Sequence, residues 1–207
     1  STRTELSECL NDENLHGVPY LNCGDSYLLR HGDEYVNMPP VWEWAQLPGL
    51  TMSSQPSLPV RRPFVGGVGN GHSGSTVLQY WRQQAVPVLE WTVRKFWAFH
   101  GELMVCLLGG WQVPPDVGEL TTSLEQSRRC GPVQMALCDG IQTLPDGEHW
   151  VDGVRWVLHR QVGYLPMSPA RIRCELSDVT GTWEAINVEY TQEPPVTEQR
   201  FLLQLCH

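Results

Sequence analysis

Two tryptophans flank a glutamate in Trp42-Glu43-Trp44, and an acidic pair, Asp33-Glu34, stands shortly before them in RHGDEYVNMPPVWEWAQLPGL, residues 30–50. A double proline, Pro39-Pro40, and a Pro48-Gly49 turn fix the backbone around the aromatic run. Pyranose C–H faces stack on indole rings and sugar hydroxyls donate to carboxylates, so this mixture suits a surface that handles carbohydrate. Tryptophan in a β-protein also serves as core. Two residues apart on a strand, Trp42 and Trp44 would share one face, as a stacking platform or as a wedge into the core, and the wedge is the preferred reading.

Other residue types with catalytic potential lack the spacing their chemistry requires. His72 and His100 have no His, Cys or Asp partner at metal-ligand spacing and read as loop histidines. The glycine-rich FVGGVGNGHSG, residues 64–74, lacks the Lys-Ser/Thr and the following helix of a phosphate loop. Seven cysteines, an odd number without a C-x-x-C pair, give neither zinc spacing nor a deducible disulfide framework. Cys106 reads as a small buried hydrophobe, while Cys130 and Cys138, around a Gly-Pro, are spaced to bridge a hairpin or to stay free. No Ser-His-Asp or Cys-His arrangement emerges from spacing.

Taken in order, the motifs resemble the central β-domain of family 8 polysaccharide lyases, the chondroitin, hyaluronan and xanthan lyases. Residues 30–50 carry the acidic-Tyr step, the Pro-Val-Trp-acidic-Trp run and the Leu-Pro-Gly turn. Residues 1–17, STRTELSECLNDENLHG, are similar to the opening of that domain, with Ser-x-Arg, an acidic residue, an Asn three positions later and Glu-Asn before a Gly. The glycine-rich strand–turn at 64–74, the Lys-aromatic and apolar strands at 95–111, and Thr121-Thr122 with Gln126 follow. Residues 156–164, 181–187 and 201–207 complete the series, so the resemblance spans essentially the whole chain, with a lean toward the broad-specificity chondroitin lyases.

The resemblance implies a large supersandwich of galactose-mutarotase type and a β-elimination. In that reaction a base removes the C5 proton of a uronic acid, a neutralised carboxylate stabilises the carbanion-like state, and the C4 glycosidic oxygen leaves. The Asn, His, Tyr and Arg that do most of this belong, in the family, to an α-helical toroid. One acidic residue comes from the β-domain and orients the Arg and Tyr; by residue match it is Glu8. The substrate contacts fall on Asn11, with Glu13 and Asn14 beside it. Without the resemblance Glu8 is an exposed turn carboxylate, and Asn11-Asp12-Glu13-Asn14 is turn chemistry. Some relatives hold Ca²⁺ in this domain. Asp33, Glu34 and Glu43 would be its oxygen donors, although Val36 stands where another acidic ligand is expected and a solvated acidic loop is the alternative. No other cofactor is implied.

The chain begins at Ser1 without a leader and ends within an apolar strand, so residues 1–207 are expected to be one truncated central domain without its toroid and C-terminal β-domain. Residues 201–205 would then be an unpaired apolar edge, prone to association. Polymeric substrates imply an extracellular or periplasmic enzyme. A non-catalytic carbohydrate-binding module and a structural β-module are the competing readings.

The elements that must position these residues are strands. Short Val-, Leu-, Trp- and Tyr-rich runs at 27–30, 64–68, 75–80, 93–99, 103–108, 133–137, 153–159, 171–176 and 201–205 are separated by turn signals such as Asp146-Gly147 and Asp152-Gly153. A hairpin is expected around Gly101. In 153–159, Val154, Trp156 and Leu158 alternate with Arg155, Val157 and His159, as on a sheet with one face in the core. Pro87 and β-branched residues argue for strand over helix in 86–97. Sixteen Pro and nineteen Gly, scattered through the chain, agree with many short strands. With 41% hydrophobic and 18% charged residues the chain has the composition of a packed domain, and no apolar run reaches the ~18 residues of a membrane span. The fold class is all-β: large antiparallel sheets packed face to face. A net charge of −9 without a basic tract argues against a nucleic-acid partner, and leaves polyanion contacts to local arginines or to another part of the molecule.

Overall fold

The computed structural model describes Tyr20 and residues 23–55, 57–60, 64–84, 87–186 and 192–207. These form fourteen strands, β1 (Thr51–Ser53), β2 (Ser57–Pro59), β3 (Val65–Gly69), β4 (Ser73–Gln84), β5 (Leu89–His100), β6 (Leu103–Gln112), β7 (Leu120–Arg128), β8 (Gln134–Leu137), β9 (Gly140–Thr143), β10 (Gly147–Val154), β11 (Trp156–His159), β12 (Val162–Tyr164), β13 (Ala170–Gly181) and β14 (Val196–Cys206), with a few 3-10 turns. They build three antiparallel sheets in the orders β1-β7-β14-β13-β10, β12-β11-β8-β9 and β2-β4-β5-β6, with β3 paired to β4. No α-helix occurs among the described residues, and none of the helical turns is long and apolar enough to cross a membrane.

Alternation explains the layers. On β13 and β14, Ile172, Cys174, Leu176, Phe201 and Leu203 are buried against Val133, Met135 and Val157 of the second sheet's side, forming one core. Tyr80, Trp91 and Val93 of the third sheet pack with Val117 and Leu120 in another. Trp44, Leu47, Leu50, Met52 and Ile186 make a third cluster under the proline-rich segment.

The hairpins are set by residue type. β5 and β6 close through Gly101 at φ +55°, with His100 opposite Leu103. β3 and β4 close through an Asn70 turn, whose Oδ1 accepts from the backbone N–H of His72 and Ser73. The glycine-rich stretch is thus a strand pair, as its lack of phosphate-loop residues requires.

Four expectations are corrected. Residues 27–30 form no strand, because Leu28 N–H goes to the Tyr35 hydroxyl and not to a ladder. Trp42 and Trp44 lie in and beside 3-10 turns, not on a strand. The alternation over 153–159 breaks at Arg155, so Val154, Val157 and His159 are the buried residues. The run at 201–205 is no edge: β14 is bonded to β13 on one side and β7 on the other, which places it at the centre of the first, five-stranded sheet. Cys130 and Cys138 are both exposed and free; no disulfide joins them.

Candidate functional site

The acidic-aromatic segment at 30–50 is a docked strap whose charged groups are bound to the protein itself. Glu34 accepts three backbone N–H bonds, Oε1 from Arg30 (3.0 Å) and His31 (2.7 Å) and Oε2 from Gly32 (2.8 Å). Burial alone would raise its pKa, yet these donors outweigh burial and hold the carboxyl down to about 2. Asp33 pairs with Arg160 at 2.7 Å, and that hydrogen bond keeps its carboxyl below the usual range. Arg160 and Gln161 form the β11–β12 turn with positive φ, 47° and 67°, so this loop is bent to meet the strap. Glu43 is mostly exposed and lies 3.5 Å from Arg200.

These contacts bear on the three candidate calcium donors. Asp33, Glu34 and Glu43 face three different partners and do not converge, and no group of three His, Cys, Asp or Glu side chains able to hold a metal occurs among the described residues. Both Glu34 oxygens are taken by backbone amides and Asp33 Oδ1 by Arg160, while the exposed Glu43 faces Arg200.

The tryptophans act as a wedge. Trp44 is buried with Leu47 and Leu50. Trp42 meets it edge-on at 5.5 Å and lies at 6.1 Å from Tyr27 in a stacked pair. Gln126, fully buried on β7, clamps the strap by accepting from Glu43 N–H (2.7 Å) and donating to the carbonyls of Glu43 (3.1 Å) and Gln46 (2.9 Å). Lys95, fully buried on β5, donates to the Gly49 carbonyl at 2.5 Å and sits 4.5 Å over the Tyr80 ring. Burial pushes its ammonium down to about 7. Two of the residues that carried the family resemblance, Gln126 and Lys95, therefore fasten the strap.

Sequence reasoning missed Glu125. It is buried beside Gln126, with Oε1 accepting from the Tyr35 hydroxyl (2.8 Å) and Gln126 N–H (3.0 Å), and Oε2 from the Tyr164 hydroxyl (2.8 Å). Burial outweighs these donors and pushes its carboxyl up to about 7. A perturbed acid flanked by tyrosines resembles catalytic machinery, but it is closed off from solvent and joins strap, β7 and β12. Its position next to Gln126, in the Thr121-Thr122…Gln126 match, was the available signal.

On the strap side of the first sheet lies a charge network. Arg173 donates through Nε to Glu148 (2.6 Å), through Nη1 to the side-chain carbonyls of Gln46 (3.1 Å) and Gln204 (2.8 Å), and through Nη2 to Glu175 (3.0 Å). Arg200 donates to Glu175 (2.6 Å) and to the Val41 carbonyl (3.2 Å). Glu175 stays ionised because Arg200, Ser177 and Arg173 together overcome its burial. The network holds a polar sheet face under the strap and was not visible in the sequence, since it joins residues far apart in the chain.

Glu8, Asn11, Glu13 and Asn14 lie outside the described residues; the segment that bears them leads into Tyr20.

Comparison with known proteins decides the family. The profile of polysaccharide lyase family 8, super-sandwich domain, matches residues 1–207. The chain belongs to this family. Chondroitinase-AC of Pedobacter heparinus is 32% identical over 220 aligned positions, covering 100% of this chain and 29% of that protein. A chondroitinase AC lyase structure superposes with a TM-score of 0.74 at 27% identity, over 94% of this chain and 29% of the other. A Paenibacillus xanthan lyase superposes at 0.76 with 17% identity, over 95% and 20%, which is a likeness of fold. This family 8 chain thus spans under a third of the length of the relatives it matches, and its all-β architecture is that of their super-sandwich domain.

Proposed function

We propose that the chain is the central β-domain of a polysaccharide lyase that cleaves uronic-acid-containing glycosaminoglycans, chondroitin or hyaluronan, by β-elimination. The observation that carries this reading is the alignment of the entire chain with Chondroitinase-AC at 32% identity. A base on a partner α-toroid takes the C5 proton. The C–H electron pair becomes the C4–C5 double bond, and the glycosidic oxygen departs from C4 and is protonated. Glu8 acts by position: its carboxylate bonds a toroid Arg, keeps that cation in place and tunes the Tyr that moves the proton. Asn11, Glu13 and Asn14 bind sugar hydroxyls or the substrate carboxylate. The enzyme works outside the cytoplasm, where its polymer is found. A resident Ca²⁺ at Asp33, Glu34 and Glu43 has no support in the geometry, so no step passes through one.

The test is the absorbance of the unsaturated uronate product on incubation with chondroitin sulfate and hyaluronan. The complete enzyme should turn over one or both, while residues 1–207 alone should not, because loss of members of a catalytic unit removes nearly all of the rate. In the complete enzyme Glu8→Gln should lower kcat on the order of 10²-fold or more with little change in melting temperature. Asn11→Ala should mainly raise KM. A kcat for Glu8→Gln within about threefold of the parent, under ~1 kcal/mol, would remove Glu8 from the mechanism.

A further inference from the structure

The strap covers the polar face of the first sheet only in part. Beside the 3-10 turn Trp44–Gln46 the part that the described residues leave open forms a cleft of about 380 Å³, within the ~300–1,000 Å³ of small-ligand sites. Its floor is a row set by strand register: Gln204 of β14 lies opposite Arg173 of β13, which lies opposite Trp150 of β10. Met52 and Ala45 add apolar wall, and Gln46, Thr121 and Glu119 supply amide, hydroxyl and carboxylate.

Trp150 is the feature that calls for a ligand. It is 45% exposed, yet it is held in place. Its Nε1 donates to Glu148 at 3.1 Å, and the Arg171 and Arg173 guanidiniums stand 5.3 and 5.8 Å from its ring centroid. A large aromatic left open to water forgoes burial, while its fixed rotamer lowers the entropy a ligand must overcome on stacking against it.

The charge around it selects the ligand. Arg173 is already bound to Glu148 and Glu175 and to two amide carbonyls, so its charge is neutralised and nearly all its donors are engaged. Glu119 on the rim adds negative charge. Arg171, over the Trp150 ring, is paired with Asp152 at 3.8 Å and does not line the cleft, so among the described residues of this floor a sulfate or carboxylate finds no unengaged cation. An uncharged ring finds an aromatic face together with amide donors and carboxylate and hydroxyl acceptors, the mixture that neighbouring sugar hydroxyls need.

We propose that this cleft binds an uncharged pyranose of the polymer, an N-acetylhexosamine, stacked on Trp150 and hydrogen-bonded by Gln46 and Glu119. This inference rests on the glycosaminoglycan reading above and adds a contact for the sugar that is not the uronic acid. Tyr20 lies on the cleft wall.

The experiment is a calorimetric titration of the full chain with hyaluronan hexasaccharide and, as a neutral probe, chitohexaose. Both should bind. Trp150→Ala should weaken both by roughly tenfold or more and Gln46→Ala by several-fold, with far-UV circular dichroism and melting temperature close to the parent. Trp150→Phe should retain most of the affinity, which separates stacking from folding. Affinity for chitohexaose should change less than about threefold between ~50 and ~300 mM salt. Absence of chitohexaose binding, or equal affinities in the parent, Trp150→Ala and Gln46→Ala chains, overturns the cleft. In that case eliminase activity of the complete enzyme still stands as an independent check on the lyase reading, which fails only if neither polymer is cleaved.

Discussion

Two carboxylates respond to burial in opposite ways, and the difference lies in who donates to them. Glu34 takes three backbone amides and is held down to about 2; Glu125 takes two phenols and one amide in a closed site and rises to about 7. The ordinary carboxyl value for both is 4.5. Glu34, with a depressed folded pKa, contributes stability that is present above 4.5 and lost as pH falls toward about 2. Glu125, with a raised one, contributes stability that is present below 4.5 and lost as pH rises through about 7. That share falls between about pH 5 and 7, while buried His159, held down to about 4, and buried Lys95, held down to about 7, shift stability the opposite way over their own ranges, so the contribution of Glu125 is read as a difference between two chains. Glu125→Gln keeps an acceptor and adds a donor without a charge, so across that window it should gain on the parent by up to about 3 kcal/mol. Thermal melts of the two chains from about pH 4 to 8 check this, and parallel profiles would count against a neutral Glu125. In the sequence Glu34 read as a calcium donor and Glu125 did not stand out. Local spacing shows that acids are near one another, whereas their donors are fixed by loop backbone and by Tyr164, 39 positions along the chain from Glu125.

At the scale of elements, strands were legible where composition was β-branched and aromatic, and less so where function or docking bent them. The runs at 64–68, 75–80, 93–99 and 103–108 fall within or next to β3, β4, β5 and β6. β7 was marked only by Thr121, Thr122 and Gln126, because its buried polar residues Ser123, Glu125, Gln126 and Ser127 hide an interior strand behind a surface-like composition. β14 was seen, but its place was not: pairing is long-range, and nothing local says that 201–205 lies between β13 and β7. Phe201 is fully buried there, 4.4 Å from His159 and 6.1 Å from Tyr164 in ring contacts. Phe201→Ala should cost about 3–5 kcal/mol in urea unfolding; a loss below ~1 kcal/mol would be that of an edge strand. Gly181, at the end of β13, is equally constrained, since a Cβ would run into the Pro40 carbonyl. Gly181→Ala should therefore displace the Pro39–Val41 turn and destabilise by an amount typical of overpacking, about 1–3 kcal/mol.

For the molecule as a whole, the family was legible because motif order survives where individual side-chain roles do not, and the family then supplied the fold. What motif order could not convey is which surfaces are wet. The expectation that the chain associates through its last strand fails, yet an apolar surface exists elsewhere. In the third sheet Val77 of β4 lies opposite Phe96 of β5, which lies opposite Leu107 of β6, so the three share one face. The other face of β5 carries the buried Trp91, Val93 and Trp97, which leaves Phe96 and Leu107 outward together with Leu103, Val68 and Phe64, all exposed. A contiguous apolar patch on a sheet drives association unless a partner covers it. Purified chain should accordingly self-associate with rising concentration in sedimentation velocity, and the association should strengthen with sulfate, as burial of apolar area does. Leu103→Lys with Leu107→Glu places charges on that face without touching the core and should return the chain to a monomer with an unchanged melt. Substituting Leu205→Glu, at the strand first suspected, should instead destabilise the fold, because that residue packs against the core of β13 and β14. If the double variant associates as the parent does, the outer face of the third sheet is not the surface responsible.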